Sequence, residues 1–304
     1  MYLKTAMYQP VTMELTTRGR PLRIHLISTG VVSVKRRYRE ARGRGLRAFL
    51  DFVFDNRFTG WLPIWVMAIE HPDGVFLIDT GEVASVMDPR YFQSSGWIVR
   101  WFDRSQFKFD VRREDEIDAQ LGALGIPTSQ VKTVVLTHLH FDHTDGLKHF
   151  PATRVILNDL EWKKPHGTLK HLWPPDFHPV PVPLDCPYEM FERTYALTGE
   201  EDLLLVHTPG HTWGHASVLV KTDAGPVLFA GDICYSQDQL IREKYTGANA
   251  SYRQAHDTYE RIKAFARHEN LIVLPSHDPE AAERLKSWTP LYNLPPEDLA
   301  GRED

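Results

Sequence analysis

The feature that most constrains this chain is "THLHFDHTDG", Thr137 to Gly146, which packs three histidines and two aspartates into ten positions. It follows "VKTVVLT" (Val131–Thr137), whose β-branched run reads as a buried strand. A strand has a side-chain period of two, so His138 and His140 point the same way. Two imidazoles on one side of a strand end suit two ligands of one metal ion. Asp142 and His143 follow at once and can serve a neighbouring ion once the chain turns. Four ligands from six residues leave two ions short of their usual complement, so the rest must come from elsewhere.

Further candidates sit in similar settings. "LLLVHTPGHTWGHAS" places His211 after a strand and a Pro-Gly turn, "VLFAGDICY" places Asp232 after another strand, and "LIVLPSHD" places His277 after a third. A polar residue at one strand end is ordinary surface chemistry. Three strand–turn–ligand units beside the first motif point to a shared metal site.

The rest of the chain is consistent with an α/β protein. Of 304 residues, 42% are hydrophobic and 25% charged, enough for a full core. The net charge of −5 gives no global attraction to nucleic acid or anionic membrane. Two cysteines make no disulfide framework, and no signal peptide or 18-residue apolar run is visible, so a cytoplasmic location is expected. Strands are expected at Leu22–Thr29, Leu62–Glu70, Val75–Gly81 and Thr153–Asp159. Helices are expected at Glu114–Ile126, Ser251–Glu269 and in "PEAAERLKSW". Residues 165–187 hold seven prolines and read as a long loop. Two sheets covered by outer helices would bury such strands on both faces.

Together "HLHFDH", "PGHTWGH", "GD" and "SHD" resemble the metallo-β-lactamase superfamily, and "LIDTG" around Asp79 resembles its first motif. The resemblance implies a four-layer αββα sandwich spanning residues 1–304 as one domain, with an N-terminal extension or insertion at about 1–61. It implies that His138, His140 and His211 hold the first metal. Asp142, His143 and His277 would hold the second, Asp232 would bridge them, and Asp79 would orient a metal-bound histidine from behind. Two zinc ions are expected, with manganese, iron or cobalt also compatible with nitrogen and carboxylate donors. Two ions about 3.5–4 Å apart can share a hydroxide and clamp a reacting centre.

Dizinc β-lactamases carry cysteine where Asp232 stands, and glyoxalase II enzymes append a helical domain, whereas little follows His277 here beyond one helix and a Pro-rich acidic tail. Tyr235, three residues after Asp232, and the phenylalanine in "HLHFDH" resemble the N-acyl homoserine lactonases, the quorum-quenching branch. In that branch a tyrosine at this offset bonds the substrate near its carbonyl. Trp213, where the branch often has proline, departs from the pattern. The resemblance implies ring opening of an N-acyl homoserine lactone or related lactone by a metal-bridging hydroxide. Tyr235 would stabilise the oxyanion and Asp142 would carry a proton to the departing alkoxide. The substrate is thus a small lactone or ester. The alternatives are another carboxylic ester or phosphotriester hydrolase, a nuclease, or a metal-binding protein without catalysis.

Several features keep two readings. Tyr235 could instead be a packing aromatic after its strand. "VKRRYREARGRGLR" (Val34–Arg47), with seven basic residues and one acid, is either a phosphate-binding patch or a solvated helix or loop. Phe49, Phe52, Phe54, Phe58 and Trp61 could line an acyl pocket, form a homodimer interface, or pack in the core. His207 and His215 flank His211 and either support a ligand or are structural. Cys234 reads as a buried small hydrophobe. A third metal among His166, His171 and His178 is not expected.

Overall fold

The computed structural model describes residues 8–43 and 45–292 of the chain. Its strands are β1 (Val11–Thr17), β2 (Arg20–Val34), β3 (Leu62–His71), β4 (Gly74–Ile78), β5 (Phe107–Asp110), β6 (Val131–Val135), β7 (Arg154–Asn158), β8 (Val180–Val182), β9 (Cys186–Tyr188), β10 (Phe191–Ala196), β11 (Leu203–His207), β12 (Ala216–Val220), β13 (Val227–Gly231) and β14 (Ile272–Pro275). The first eight form one sheet in the order β1-β2-β3-β4-β6-β7-β8, with β5 added against β2. The remaining six form a second sheet in the order β14-β13-β12-β11-β10-β9. Both sheets are mixed, with parallel pairs β4–β6–β7–β8 in the first and β13–β14 in the second.

Period-two alternation sorts the strand residues into layers. Leu26, Trp65, Met67, Leu205, Val218 and Phe229 share one buried cluster between the sheets. Their neighbours face outward. Ile27, Val66 and Ala68 pack with Ile117 and Leu121 of helix Ile117–Ala123. Leu204, Leu219 and Val273 pack with Ala255, Tyr259 and Ile262 of helix Tyr252–Ala266. The order helix, sheet, sheet, helix is the expected four-layer αββα sandwich. Each fully buried aliphatic side chain contributes about 1.5–3 kcal/mol, so the three interfaces dominate stability.

Several local expectations are corrected. β2 runs through Val34, well past Thr29, because Val31–Val34 pair with β5. The expected helix at Glu114–Ile126 is a 3-10 turn at Arg113–Asp115 followed by an α-helix ending at Ala123, where Gly122 and the left-handed Gly125 (φ 78°) stop it. The 165–187 stretch is not wholly irregular: Val180–Val182 adds to β7 as an edge strand, which tolerates Pro181. Helix Trp97–Gln106 was not anticipated. The Pro-rich tail lies outside the described residues.

Candidate metal centre

Every candidate side chain leaves its strand at the same rim of the sandwich. Asp79 follows β4, His138 to His143 follow β6, and His211, Asp232 and His277 follow β11, β13 and β14. The "PGHTWGH" loop needs its glycines: Gly210 has φ 146°, and a Cβ on Gly214 would collide with the backbone of Glu161. The loop carrying His277 is pinned by Asp278, whose carboxylate accepts from Gln237 N (3.0 Å) and Arg284 (3.0 Å).

Three overlapping groups of ligand atoms lie within 4.8 Å of one another: His138–His140–His211, His138–His143–Asp232 and Asp142–His143–His277. His140 Nδ1 stands 2.9 Å from His138 Nε2 and 3.0 Å from His211 Nε2. Two nitrogens on one tetrahedral zinc stand about 3.3 Å apart, so these spacings are of the right order. His143 Nε2 and His277 Nε2 each lie 3.3 Å from a different oxygen of Asp232, and His277 Nε2 lies 3.4 Å from Asp142. All seven residues expected to hold metal therefore meet.

Tautomers test whether this set fits a cation. His140 Nε2 donates to the His166 carbonyl (3.0 Å), so its Nδ1 carries a lone pair. The Thr137 hydroxyl spends its proton on Asp79 (2.8 Å), so His138 Nδ1 must donate to that hydroxyl (3.0 Å), which leaves a lone pair on Nε2. Two lone pairs then face each other across 2.9 Å, an arrangement a shared cation makes favourable. His143 Nδ1 donates to Asp79 (2.7 Å) and His277 Nδ1 to the Pro63 carbonyl (2.9 Å). With Nδ1 spent in this way, each Nε2 is the atom left for a proton or a cation, and neither has a hydrogen-bond partner among the described residues. The residues fit a metal.

The electrostatics agree. Burial pushes His138, His140 and His211 down, His140 to about 4, so all three are neutral donors of electron pairs. Burial also opposes charge on His143 and His277, but Asp79, Asp232 and Asp142 outweigh it at His143 and Asp232 and Asp142 at His277, raising both, His277 to about 10. The carboxylates at that end call for positive charge.

Asp79 itself is fully buried with φ 62°, a conformation uncommon outside glycine but tolerated by aspartate. It receives Thr137 N, the Thr137 hydroxyl and His143 Nδ1. His215 accepts from Asp232 N (3.1 Å) and donates to the Thr208 carbonyl (2.9 Å), which orients the loop carrying Asp232. The His207 ring meets the Trp213 carbonyl (3.3 Å) and, among the described residues, lies outside the cluster. Cys234 is buried in the outer apolar cluster. His166 accepts from His140 through its carbonyl and lines the same cavity, and no metal cluster among the described residues includes His166, His171 or His178.

Tyr235 is almost fully buried, its ring 4.7 Å from that of His277. Burial, together with the charges of Asp232 and Asp142, raises its phenol well above the ordinary value, so it stays protonated. It lines a cavity of about 520 Å³ that also contains His140, Asp142 and Asp232. Its aromatic walls include Tyr38, Phe52, Phe102, Phe107 and Phe141. Phe52 is thus a cavity residue, whereas Phe54 is 70% exposed and Phe58 lies under Lys108. The Phe49 side chain lies outside the described residues. The basic segment starts with helix Arg36–Arg39 and places Arg37 and Arg42 on the cavity wall, so it is more than a solvated stretch.

Sequence reasoning missed Glu161. This buried carboxylate accepts from Leu139 N (3.1 Å), the Thr212 hydroxyl (2.6 Å) and Gly214 N (3.2 Å), tying the loop after β6 to the loop after β11. The one signal was an acid at the start of a short helix just past β7.

The family model described as "Metallo-beta-lactamase superfamily" matches residues 59–277. The N-acyl homoserine lactonase AttM of Azorhizobium caulinodans is 30% identical over 243 residues, which cover 76% of this chain and 88% of that one. An N-acyl homoserine lactonase from Bacillus sp is 29% identical over 224 residues, 72% of this chain and 82% of that one. Among solved structures, an N-acyl homoserine lactone hydrolase with N-hexanoyl-L-homoserine at its catalytic metal centre superposes with a TM-score of 0.69. It is 21% identical and covers 90% of this chain and 97% of its own. The dizinc quorum-quenching lactonase AidC superposes with a TM-score of 0.60 at 14% identity, over 89% and 90% of the two chains. The chain belongs to the metallo-beta-lactamase superfamily, on its N-acyl homoserine lactonase branch, and is a metal-dependent hydrolase.

Proposed function

We propose that this chain opens the ring of an N-acyl homoserine lactone, or a closely related lactone, at a centre of two metal ions, most simply zinc. The observation that carries this reading is the position of Tyr235. A protonated phenol stands beside Asp232 at the floor of an aromatic-walled cavity that reaches Asp142. His138, His140 and His211 would hold one ion, Asp142, His143 and His277 the other, and Asp232 both. When bound, the ions would lower the pKa of water to about 7 and polarise the scissile carbonyl.

The chain's own groups supply the rest. The Tyr235 hydroxyl donates to the carbonyl oxygen as negative charge develops there, an interaction worth about 2–4 kcal/mol in comparable sites. Water adds to the carbonyl carbon and the ring C–O bond breaks. Asp142 takes the proton released by the water and returns it to the departing alkoxide, so the product is the open hydroxy acid. Phe52, Phe102, Phe107 and Phe141 exclude water and hold the acyl arm.

The test is a panel of acyl homoserine lactones, simple esters and phosphotriesters offered to metal-reconstituted protein, read as acid release. Lactones should be turned over fastest. Phosphotriester turnover without lactone turnover would overturn the substrate assignment and leave the hydrolase class standing.

A further inference from the structure

We infer that Arg37 and Arg42 form an anion-recognising wall of the cavity, so that the substrate's acyl arm carries a carboxylate at its far end. The inference rests on the lactone reading for the reacting group but concerns the opposite end of the molecule. Among the described residues lining the cavity, the carboxylates are Asp142 and Asp232, both in the metal cluster. The guanidinium groups are Arg37 and Arg42; among the described residues neither makes an ion pair, although both also border a shallower pocket with Asp51 and Asp55, the latter paired with Arg57 (3.2 Å). The same cavity is lined by the aromatic side chains of Tyr38, Phe52, Phe107 and Phe141. Tyr38 stacks on Phe52 (5.8 Å between ring centres) and meets Phe107 edge-on (4.7 Å). A ligand complementary to this surface has a reacting ester at one end, an apolar middle and an anion at the other.

The backbone beneath the arginines is held in place. Arg37 N–H donates to Asp55 (3.0 Å), Gly247 N–H to the Tyr38 carbonyl (2.7 Å), Gln239 Nε2 to the Arg39 carbonyl (2.8 Å) and Ala41 N–H to the Tyr245 carbonyl (2.8 Å). Gly247 is closed against this segment, since a Cβ there would collide with the Arg37 carbonyl. Arginine on a fixed backbone is suited to carboxylate, because its planar fork pairs with both oxygens and loses little freedom in doing so. In a chain of net charge −5, two cationic side chains on one cavity wall also steer an anion to that opening.

The experiment uses the metal-loaded full chain and pairs of homoserine lactones with hexanoyl, octanoyl and decanoyl arms. Each pair differs only in ending in methyl or in carboxylate. The kcat/KM ratio, carboxylate over methyl, should exceed ten for at least one length. It should fall toward one in Arg37→Gln or Arg42→Gln, and fall with added salt. The ratio cancels any loss of folded protein. Binding of octanedioate against octanoate, measured by calorimetry, needs no turnover and should show the same arginine-dependent preference. A ratio at or below one at every length, or a ratio unchanged in both variants, overturns the inference. If no lactone is cleaved yet octanedioate still binds at least tenfold tighter in an arginine-dependent way, the wall stands and the lactone reading falls.

Discussion

Asp79 accepts the Nδ1–H of His143 at 2.7 Å from a left-handed backbone, and the same carboxylate accepts both the amide and the hydroxyl of Thr137. One buried acid therefore fixes the tautomer of His143 directly and that of His138 through Thr137. Asparagine tolerates φ near +60°, so Asp79→Asn keeps the backbone and removes the charge. Metal affinity should fall about 10–100-fold, as measured by chelator competition, with the far-ultraviolet spectrum unchanged. Wild-type affinity in Asp79→Asn would show that the carboxylate does not orient the histidines.

Tyr235 is predicted to act on the rate and not on metal loading. Tyr235→Phe removes one hydroxyl from a ring packed 4.7 Å from His277. Lactone kcat should drop roughly 10²–10³-fold, the loss seen when one oxyanion donor is removed. Metal content by elemental analysis should match the parent. Unchanged turnover would reduce Tyr235 to a packing aromatic.

Much of the centre was legible in the sequence because His138, His211, Asp232 and His277 sit one to four residues past a strand, where local pattern and chemistry coincide, and His140, Asp142 and His143 follow His138 directly. His138, Asp232 and His277 are read this way. What closes the cavity was legible only in part. Phe52 was one of five aromatics that could line an acyl pocket, but Phe102 and Phe107 come from segments whose positions depend on tertiary contacts, and local periodicity carries no record of those. The basic run around Arg37 kept two readings, a phosphate-binding patch or a solvated helix or loop, because nothing local tells that the Tyr38 and Arg39 carbonyls accept hydrogen bonds from Gly247 and Gln239, some two hundred residues away. Helix Trp97–Gln106 was obscured by exposed Trp97 and Trp101, which blur the polar face a helix ordinarily shows.

Acid should destabilise the fold at Asp202, a buried carboxylate outside the metal cluster. Burial opposes charge on Asp202, but hydrogen bonds from Thr198, His71 and Thr17 outweigh it and hold the carboxyl at about 2. Its ordinary value is 3.8, so the folded state favours the charged form. That stability is present above about pH 4 and is lost as pH falls toward 2. Allowing for solvent screening, the loss is about 1 kcal/mol. Asp202→Asn should flatten the fall in urea midpoint across this window. An identical slope in both proteins would remove Asp202 from the account.

Glu161 couples the two loops that carry His140 and His211, so its replacement should weaken fold and metal site together. The carboxylate accepts three donors at 2.6–3.2 Å, and burial raises it to about 7 against the pull of those donors. Glu161→Gln preserves shape but turns an amide N–H₂ toward one of them. Leaving a buried donor unpaired costs about 1–3 kcal/mol. Urea unfolding of the metal-free protein should show that loss, and chelator competition should show weaker metal binding by a similar factor, because the ligands are less well held. Thr212→Val removes only the hydroxyl donor and should cost less on both measurements. If Glu161→Gln loses stability but binds metal as the parent does, the two loops are positioned independently and the coupling is absent.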